Sequence, residues 1–192
     1  MEYNTEIEKE VEKLSGSVKF DTKFLEQRKV FLWGAVHDES AEKIVNRLLF
    51  LESEKPGEPI TLFVNSPGGS VTSGLVIIDV MKMISSPVNT VCMGLAASMG
   101  AMILSFGKKK SIFENGRVMI HQPSISSISG QASDMEITAN QILKTREMLA
   151  EMLAANCKQP IEKIRKDFDR DYWMDAKESK EYGIVDEIYS KF

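Results

Sequence analysis

The 192 residues contain two histidines, His37 and His121, so any chemistry that needs an imidazole near neutral pH must use one of them. His37 lies between Val36 and Asp38, just ahead of Ser40, in a stretch that reads as helix-capping surface. His121 differs. It closes the apolar run Arg117-Val118-Met119-Ile120 and precedes Gln122-Pro123, so its ring stands where a buried strand ends and a cleft can begin. On that pattern alone, a satisfied core histidine remains the simpler reading. Ser98 is the companion hydroxyl, set among Gly94, Ala96, Ala97 and Gly100 between an apolar strand and a helix. Small neighbours allow a tight turn and close approach of a substrate. A helix start also offers unpaired amides and the positive end of a dipole to a developing anion. The placement resembles a nucleophile elbow, with Gly94-Leu95-Ala96-Ala97-Ser98-Met99-Gly100 in place of the G-x-S-x-G spelling. Packing alone would ask for the same small residues. Pro67-Gly68-Gly69-Ser70 is a second turn whose glycines can aim a backbone N–H outward as half of an oxyanion hole. A phosphate loop is not expected, because neither Gly-Lys-Ser/Thr nor G-x-G-x-x-G is present. For a carboxylate to orient a histidine, Asp167, Asp169 and Asp171 are equally eligible.

These residues must be placed by the elements around them. Lys23–Gln27 reads as a helical turn leading into the apolar strand Val30–Trp33, which Gly34 ends. His37–Ser40 supplies capping chemistry for a helix over Ala41–Glu54. Glu58-Pro59 breaks the chain before a strand at Ile60–Val64, and the Asn65–Ser70 turn opens a helix over Val71–Ile84. The sequence then predicts a strand at Val88–Met93, a small-residue turn at Gly94–Ser98 and a helix at Met99–Phe106, with further strands at Ile112-Phe113 and Val118–Ile120. Strands that alternate with helices and are apolar on both faces predict an α/β domain with a mostly parallel, covered sheet. Asp134–Ala155 reads as a long amphipathic helix, with Ile142, Leu149 and Leu153 on one stripe and Met135, Met148 and Met152 beside it. That stripe fits a core face or a subunit contact. Pro160–Phe168 reads as a shorter helix and Ile184–Ile188 as a last strand.

Composition narrows the function classes. With 43% hydrophobic and 27% charged residues the chain can build a core, which excludes global disorder. A formal charge of −4, with Lys108-Lys109-Lys110 the only dense basic run, gives no stripe for a phosphate backbone, so nucleic acid is not an expected partner. Cys92 and Cys157, the only thiols, read as buried in a reducing, cytoplasmic protein. No apolar stretch reaches the ~20 residues of a membrane span, and residues 1–15 are charged, so neither secretion nor a membrane is expected. No repeat or linker divides the chain, which is read as one domain over 1–192.

Five motifs, in one order and spacing, together carry a family resemblance. They are Asn65-Ser66-Pro67-Gly68-Gly69-Ser70, Gly94–Gly100, Arg117–Pro123, Gly130-Gln131-Ala132-Ser133-Asp134, and Asp169-Arg170-Asp171 followed by Glu181-Tyr182-Gly183-Ile184-Val185-Asp186. Over about residues 25–190 the chain resembles the ClpP serine peptidases. The resemblance implies a crotonase-like fold of stacked βαβ units, an axial segment over 1–19 and a protruding handle from Ser124 to about Cys157. It implies that Ser98 is the nucleophile, His121 the general base and Asp171 the orienting carboxylate, with the amides of Gly69 and Met99 as oxyanion donors. Neither cofactor nor metal is implied. Two heptameric rings docked through their handles would enclose a chamber in which unfolded polypeptides are cut to short peptides, and Gln131, Asp169 and Arg170 match inter-ring contact positions. An AAA+ Clp ATPase is the implied unfolding partner, although Thr61 and Phe63 stand where relatives commonly carry docking tyrosines. The charged start and Ser124-Ile125-Ser126-Ser127-Ile128-Ser129, in place of a glycine-rich stretch, are further departures. Other readings are an acyl-CoA hydratase or isomerase on the same fold, which would need a carboxylate where Ser98 and His121 stand, and a catalytically silent ring subunit beside an active paralogue.

Overall fold

The computed structural model describes residues 20–124 and 129–189. The expected axial segment, 1–19, lies outside the described residues, as do residues 125–128 of the serine-rich stretch. Strands β1 (Lys29–Trp33), β2 (Ile60–Ser66) and β3 (Val88–Ala97) pair in parallel, with Val30 opposite Leu62 and Leu62 opposite Thr90. Parallel neighbours require crossovers, and helices α1 (Asp38–Glu54) and α2 (Val71–Met83) provide them. Helix α1 begins three residues before the apolar pattern suggested, because His37 and Ser40 close a capping box on its first turn. The face shared by Leu32, Leu62, Val64 and Cys92 is buried, together with Ile44 and Leu48 of α1 and Ile77 and Ile78 of α2; the opposite face is buried at Phe63 and Val91 and opens at Trp33, so the sheet is not covered on both faces along β1. Truncating Ile77 to Ala would destabilise the sheet–helix seam by about 2–5 kcal/mol.

The second half of β3 departs from expectation. Residues 94–97 were read as a turn, yet they continue the strand past Gly94, which sits at φ +93°. The pairing with β2 shifts there, from Val64 opposite Cys92 to Ser66 opposite Ala96. Such an irregularity bends a strand and lets it change neighbours. Before Gly94, β3 pairs with β4 (Lys110–Phe113); after it, with β5 (Arg117–Ile120). Between β3 and β4, helix α3 (Met99–Ser105) is buried throughout.

Three further elements complete the frame. Helix α4 (Ala132–Cys157) buries only its end, at Leu149, Ala150, Leu153 and Cys157, while Met135, Ile137 and Leu143 stay exposed. The apolar stripe is therefore core over its last turns alone. Lys110, buried in β4, donates from Nζ to the carbonyl of Asn156 at 2.9 Å and to that of Gly183 at 3.2 Å, which satisfies carbonyls at two helix ends. Helix α5 (Ile161–Asp167) leads to β6 (Tyr172–Met174), which the sequence pattern did not separate from its surroundings. Strand β6 is antiparallel to β5, and helix α6 (Ala176–Tyr182) follows it, started by an Asp175–Glu178 capping box. The last strand, β7, is Glu187–Tyr189 rather than Ile184–Ile188; Ile184 and Val185 fill the core from the preceding turn. Among the described residues, no helix is long and apolar enough to cross a membrane.

Candidate active site

Register brings the residues of the site together. Parallel pairing of Ala97 with Met119 places the C-terminal ends of β3 and β5 side by side, so Ser98 and His121 leave the sheet at the same edge. In the antiparallel pair, Val118 faces Met174, Met119 faces Trp173 and Ile120 faces Tyr172. One more step of that ladder sets His121 opposite Asp171. Three residues far apart in the chain thus meet because short β5 lies between the bent β3 and short β6. The Ser98 backbone is fixed on both sides: its amide donates to the Met119 carbonyl at 2.9 Å, and its carbonyl accepts from the Met102 amide at 3.1 Å. Its φ of +54° and ψ of −122° lie where a non-glycine residue carries about 1–3 kcal/mol of strain. The surrounding bonds hold that conformation, which presents the side chain at the start of α3.

The side chains form a continuous chain. Ser98 Oγ lies 2.8 Å from His121 Nε2, and His121 Nδ1 lies 2.9 Å from Asp171 Oδ1. With the proton on Nδ1 donated to the carboxylate, Nε2 is free to accept the serine proton; the carboxylate then stabilises the imidazolium. The three carboxylates that the sequence left equal are separated by their partners. Asp167 accepts from Tyr182 Oη at 3.1 Å and pairs with Lys163 at 2.5 Å. Asp169 accepts from Gln122 Nε2 at 3.0 Å and faces Arg170 at 3.4 Å. Only Asp171 reaches the histidine. The other histidine, His37, is an exposed cap whose Nδ1 accepts from the Ser40 amide at 3.4 Å.

Beside Ser98 lies the glycine turn. A Cβ at Gly68 would fall 2.6 Å from Ser98 Cβ, 2.7 Å from the Ala97 carbonyl oxygen and 2.9 Å from the Met99 amide nitrogen. The absence of a side chain there lets two turns touch. Val36 holds the loop from its other side, donating to the Gly68 carbonyl and accepting from the Ser70 amide, both at 2.8 Å. That bridge uses the groups on either side of Gly69 and leaves the Gly69 amide outside it. Met99 is the first residue of α3, where an amide has no partner within its helix.

A family model for Clp proteases matches residues 12–192. The chain belongs to the Clp protease family. The family is one of serine peptidases that are generally oligomeric and work with Clp ATPases, so the resemblance drawn from the five motifs is borne out at that level. In this Clp protease a groove of about 440 Å³ is lined by Val71, which follows the glycine turn, Pro123, two residues beyond His121, and Ile137, Thr138, Ile142 and Thr145 of α4. Gln131 is the exposed N-cap residue of α4, whereas Asp169 and Arg170 stand in the loop before β6; within one subunit, no hydrogen bond joins Gln131 to that pair among the described residues. Two positioning contacts escaped the sequence reading. The Gln122 amide donates to the Phe168 carbonyl at 2.6 Å, and its side chain reaches the Asp169 carbonyl at 2.9 Å, which ties the histidine strand to the aspartate loop. Gln122 was visible as the neighbour of His121, but nothing in its type or spacing announced that partner. Cys92 and Cys157 are buried, and burial pushes both thiols up to about 12, well away from a nucleophile's range.

Proposed function

We propose that this Clp protease is a serine endopeptidase in which Ser98 is the nucleophile, His121 the general base and Asp171 the carboxylate that orients it. The observation that carries the reading is the unbroken Oγ–Nε2 and Nδ1–Oδ1 chain at 2.8 and 2.9 Å. His121 takes the proton as Ser98 Oγ attacks the scissile carbonyl carbon. The resulting oxyanion is held by the Gly69 and Met99 amides, and the imidazolium then protonates the leaving amine. Water, deprotonated by the same histidine, attacks the acyl-serine ester and releases the second product. The groove between Val71, Pro123 and α4 is apolar enough to hold a side chain next to the cleaved bond.

The assembly reading rests on the family resemblance. We take residues 1–192 as one crotonase-like peptidase unit, with 1–19 as its axial segment and 124–157 as the handle. Exposed Met135, Ile137 and Leu143 on the outer part of α4 support a handle that packs against other subunits. Two stacked heptameric rings in the cytoplasm would exclude folded proteins from the chamber and admit polypeptides unfolded by an AAA+ Clp ATPase. Gln131, Asp169 and Arg170 are the proposed inter-ring contacts, and the Gln122–Asp169 bonds would carry their state to the site.

Treatment with a fluorophosphonate probe, read by intact mass, tests this. One adduct on the wild-type protein and none on Ser98→Ala is the expected result. Failure of the assembled wild-type protein to label would favour a silent ring subunit instead.

A further inference from the structure

Asp171 is more than half exposed, with 60% of its side chain open to solvent, and among the described residues its side chain is hydrogen-bonded to His121 alone. A carboxylate in that setting loses orientation readily unless its backbone is fixed. Its neighbour Tyr172 does the fixing. On the backbone side, Tyr172 pairs with Ile120, the residue before His121. On the side-chain side, its ring rests against that of Tyr182, with centroids 5.6 Å apart. The Lys163 ammonium lies 4.1 Å from the centre of the Tyr182 ring and 5.8 Å from that of Tyr172, and it is ion-paired to Asp167 at 2.5 Å. Asp167 in turn accepts from the buried Tyr182 hydroxyl at 3.1 Å, and burial, aided by the Asp167 charge, holds that phenol well above its ordinary range. One cation therefore fastens three elements, α5, β6 and α6, at the point where the chain enters Asp171.

We infer that Lys163 is a positioning residue for the orienting carboxylate, acting through the Tyr172 and Tyr182 rings to keep Asp171 in register with His121. This rests on the triad roles proposed above. The ammonium suits the task because it is attracted to both ring faces while its charge is balanced by Asp167, so the cluster keeps its packing without a free charge. An arginine at 163 can make the same contacts; an apolar residue of similar length cannot.

The test compares Lys163→Met and Lys163→Arg by steady-state hydrolysis of a short fluorogenic peptide and by the rate of fluorophosphonate labelling. Each substitution is made in the wild-type and in the Asp171→Asn background, with melting temperature and assembled size measured alongside. Lys163→Met should lower kcat and the labelling rate about fivefold with KM within about twofold, and Lys163→Arg should restore both. In the Asp171→Asn background, Lys163→Met should change the labelling rate by less than about twofold, since the group it positions is gone. Equal losses in both backgrounds, or no loss in the first, would overturn the inference. Should Lys163→Met melt too low to assay, Tyr172→Leu replaces it, with the same expected pattern and the same refutation. Absence of labelling in the otherwise unmodified protein would instead refute the triad assignment, a separate failure.

Discussion

Ser98 follows a ten-residue strand paired on both edges, with its backbone hydrogen-bonded at both amide and carbonyl, whereas Asp171 precedes a three-residue strand and projects into solvent. The serine flank is made of buried parts: Ala97, Met99, Gly68 and the whole of α3 are inaccessible. The aspartate flank is made of surface parts, with Asp169, Arg170, Tyr172 and Trp173 exposed. His121 sits between them, 26% exposed. The difference teaches that the two flanks answer to different forces. Ser98, the proposed nucleophile, is placed by the same packing that folds the sheet and cannot move without unfolding something. The carboxylate is placed by a few local contacts, so its alignment can vary while the fold stays intact.

If that contrast is right, a lesion in the serine flank should damage fold and activity together. Gly68→Ala is the sharpest such lesion. At φ +91° any side chain is strained, and the new methyl would meet Ser98, Ala97 and Met99 at distances that real Cβ atoms do not adopt. We expect a loss of roughly 2–5 kcal/mol of stability. Fluorophosphonate labelling should be abolished, because either the Ser98 turn or the Gly68-Gly69 turn must shift. Denaturant unfolding read beside labelling checks both, and an alanine variant with wild-type stability would break the comparison.

The aspartate flank should separate the two readouts. Asp171→Asn leaves the geometry nearly unchanged but removes the charge that, in the proposed mechanism, holds the histidine tautomer and stabilises the imidazolium. Labelling should slow on the order of 10³-fold. Because Asp171 is exposed and contributes no core contact, the melting midpoint should stay within about 2 °C of wild type. A drop in melting temperature comparable with that of Gly68→Ala would show the carboxylate to be a structural post, and the contrast would fail.

The same division explains what could be read from the amino-acid order. The parallel sheet and its crossover helices were legible because Val30–Trp33, Ile60–Val64 and Val88–Met93 are apolar runs flanked by turn residues, and one face of all three is buried, although the other opens at Trp33. Ser98 and the Gly68-Gly69 turn were legible as a possible pair because both are small-residue turns between an apolar strand and a helix, although packing alone would ask for the same residues. The partner change of β3 at Gly94 was not legible, since one glycine in an apolar run marks a turn or a bulge equally well. Strand β6 was missed because Tyr172-Trp173-Met174 is too short to show a period. Helix α6 left a signal that went unused, the Asp175–Glu178 spacing of a capping box. The choice of Asp171 over Asp167 and Asp169 is a matter of register and partners. Neither exists until β5 and β6 pair, so residue type alone could not decide it.

Cys92 offers the finest test of the contrast, because it lies in β3 ahead of the bend and its thiol donates to the Arg117 carbonyl at 3.6 Å, across to β5. With the thiol pushed up to about 12 by burial, only about one molecule in 10⁴ carries a thiolate at pH 8, and the sulfur is shielded from reagent besides. Alkylation therefore reports opening of the serine flank. Iodoacetamide modification followed by mass, with Cys157 resolved as a separate site, should proceed within about twofold of the wild-type rate in Asp171→Asn, since loosening the carboxylate leaves β3 and β5 paired. In Gly68→Ala it should accelerate at least about tenfold, because lost stability raises the population of open forms. Acceleration of Cys92 modification in Asp171→Asn to a similar degree would mean that the aspartate loop and the buried strands open as one unit, and that the site is held by a single set of forces.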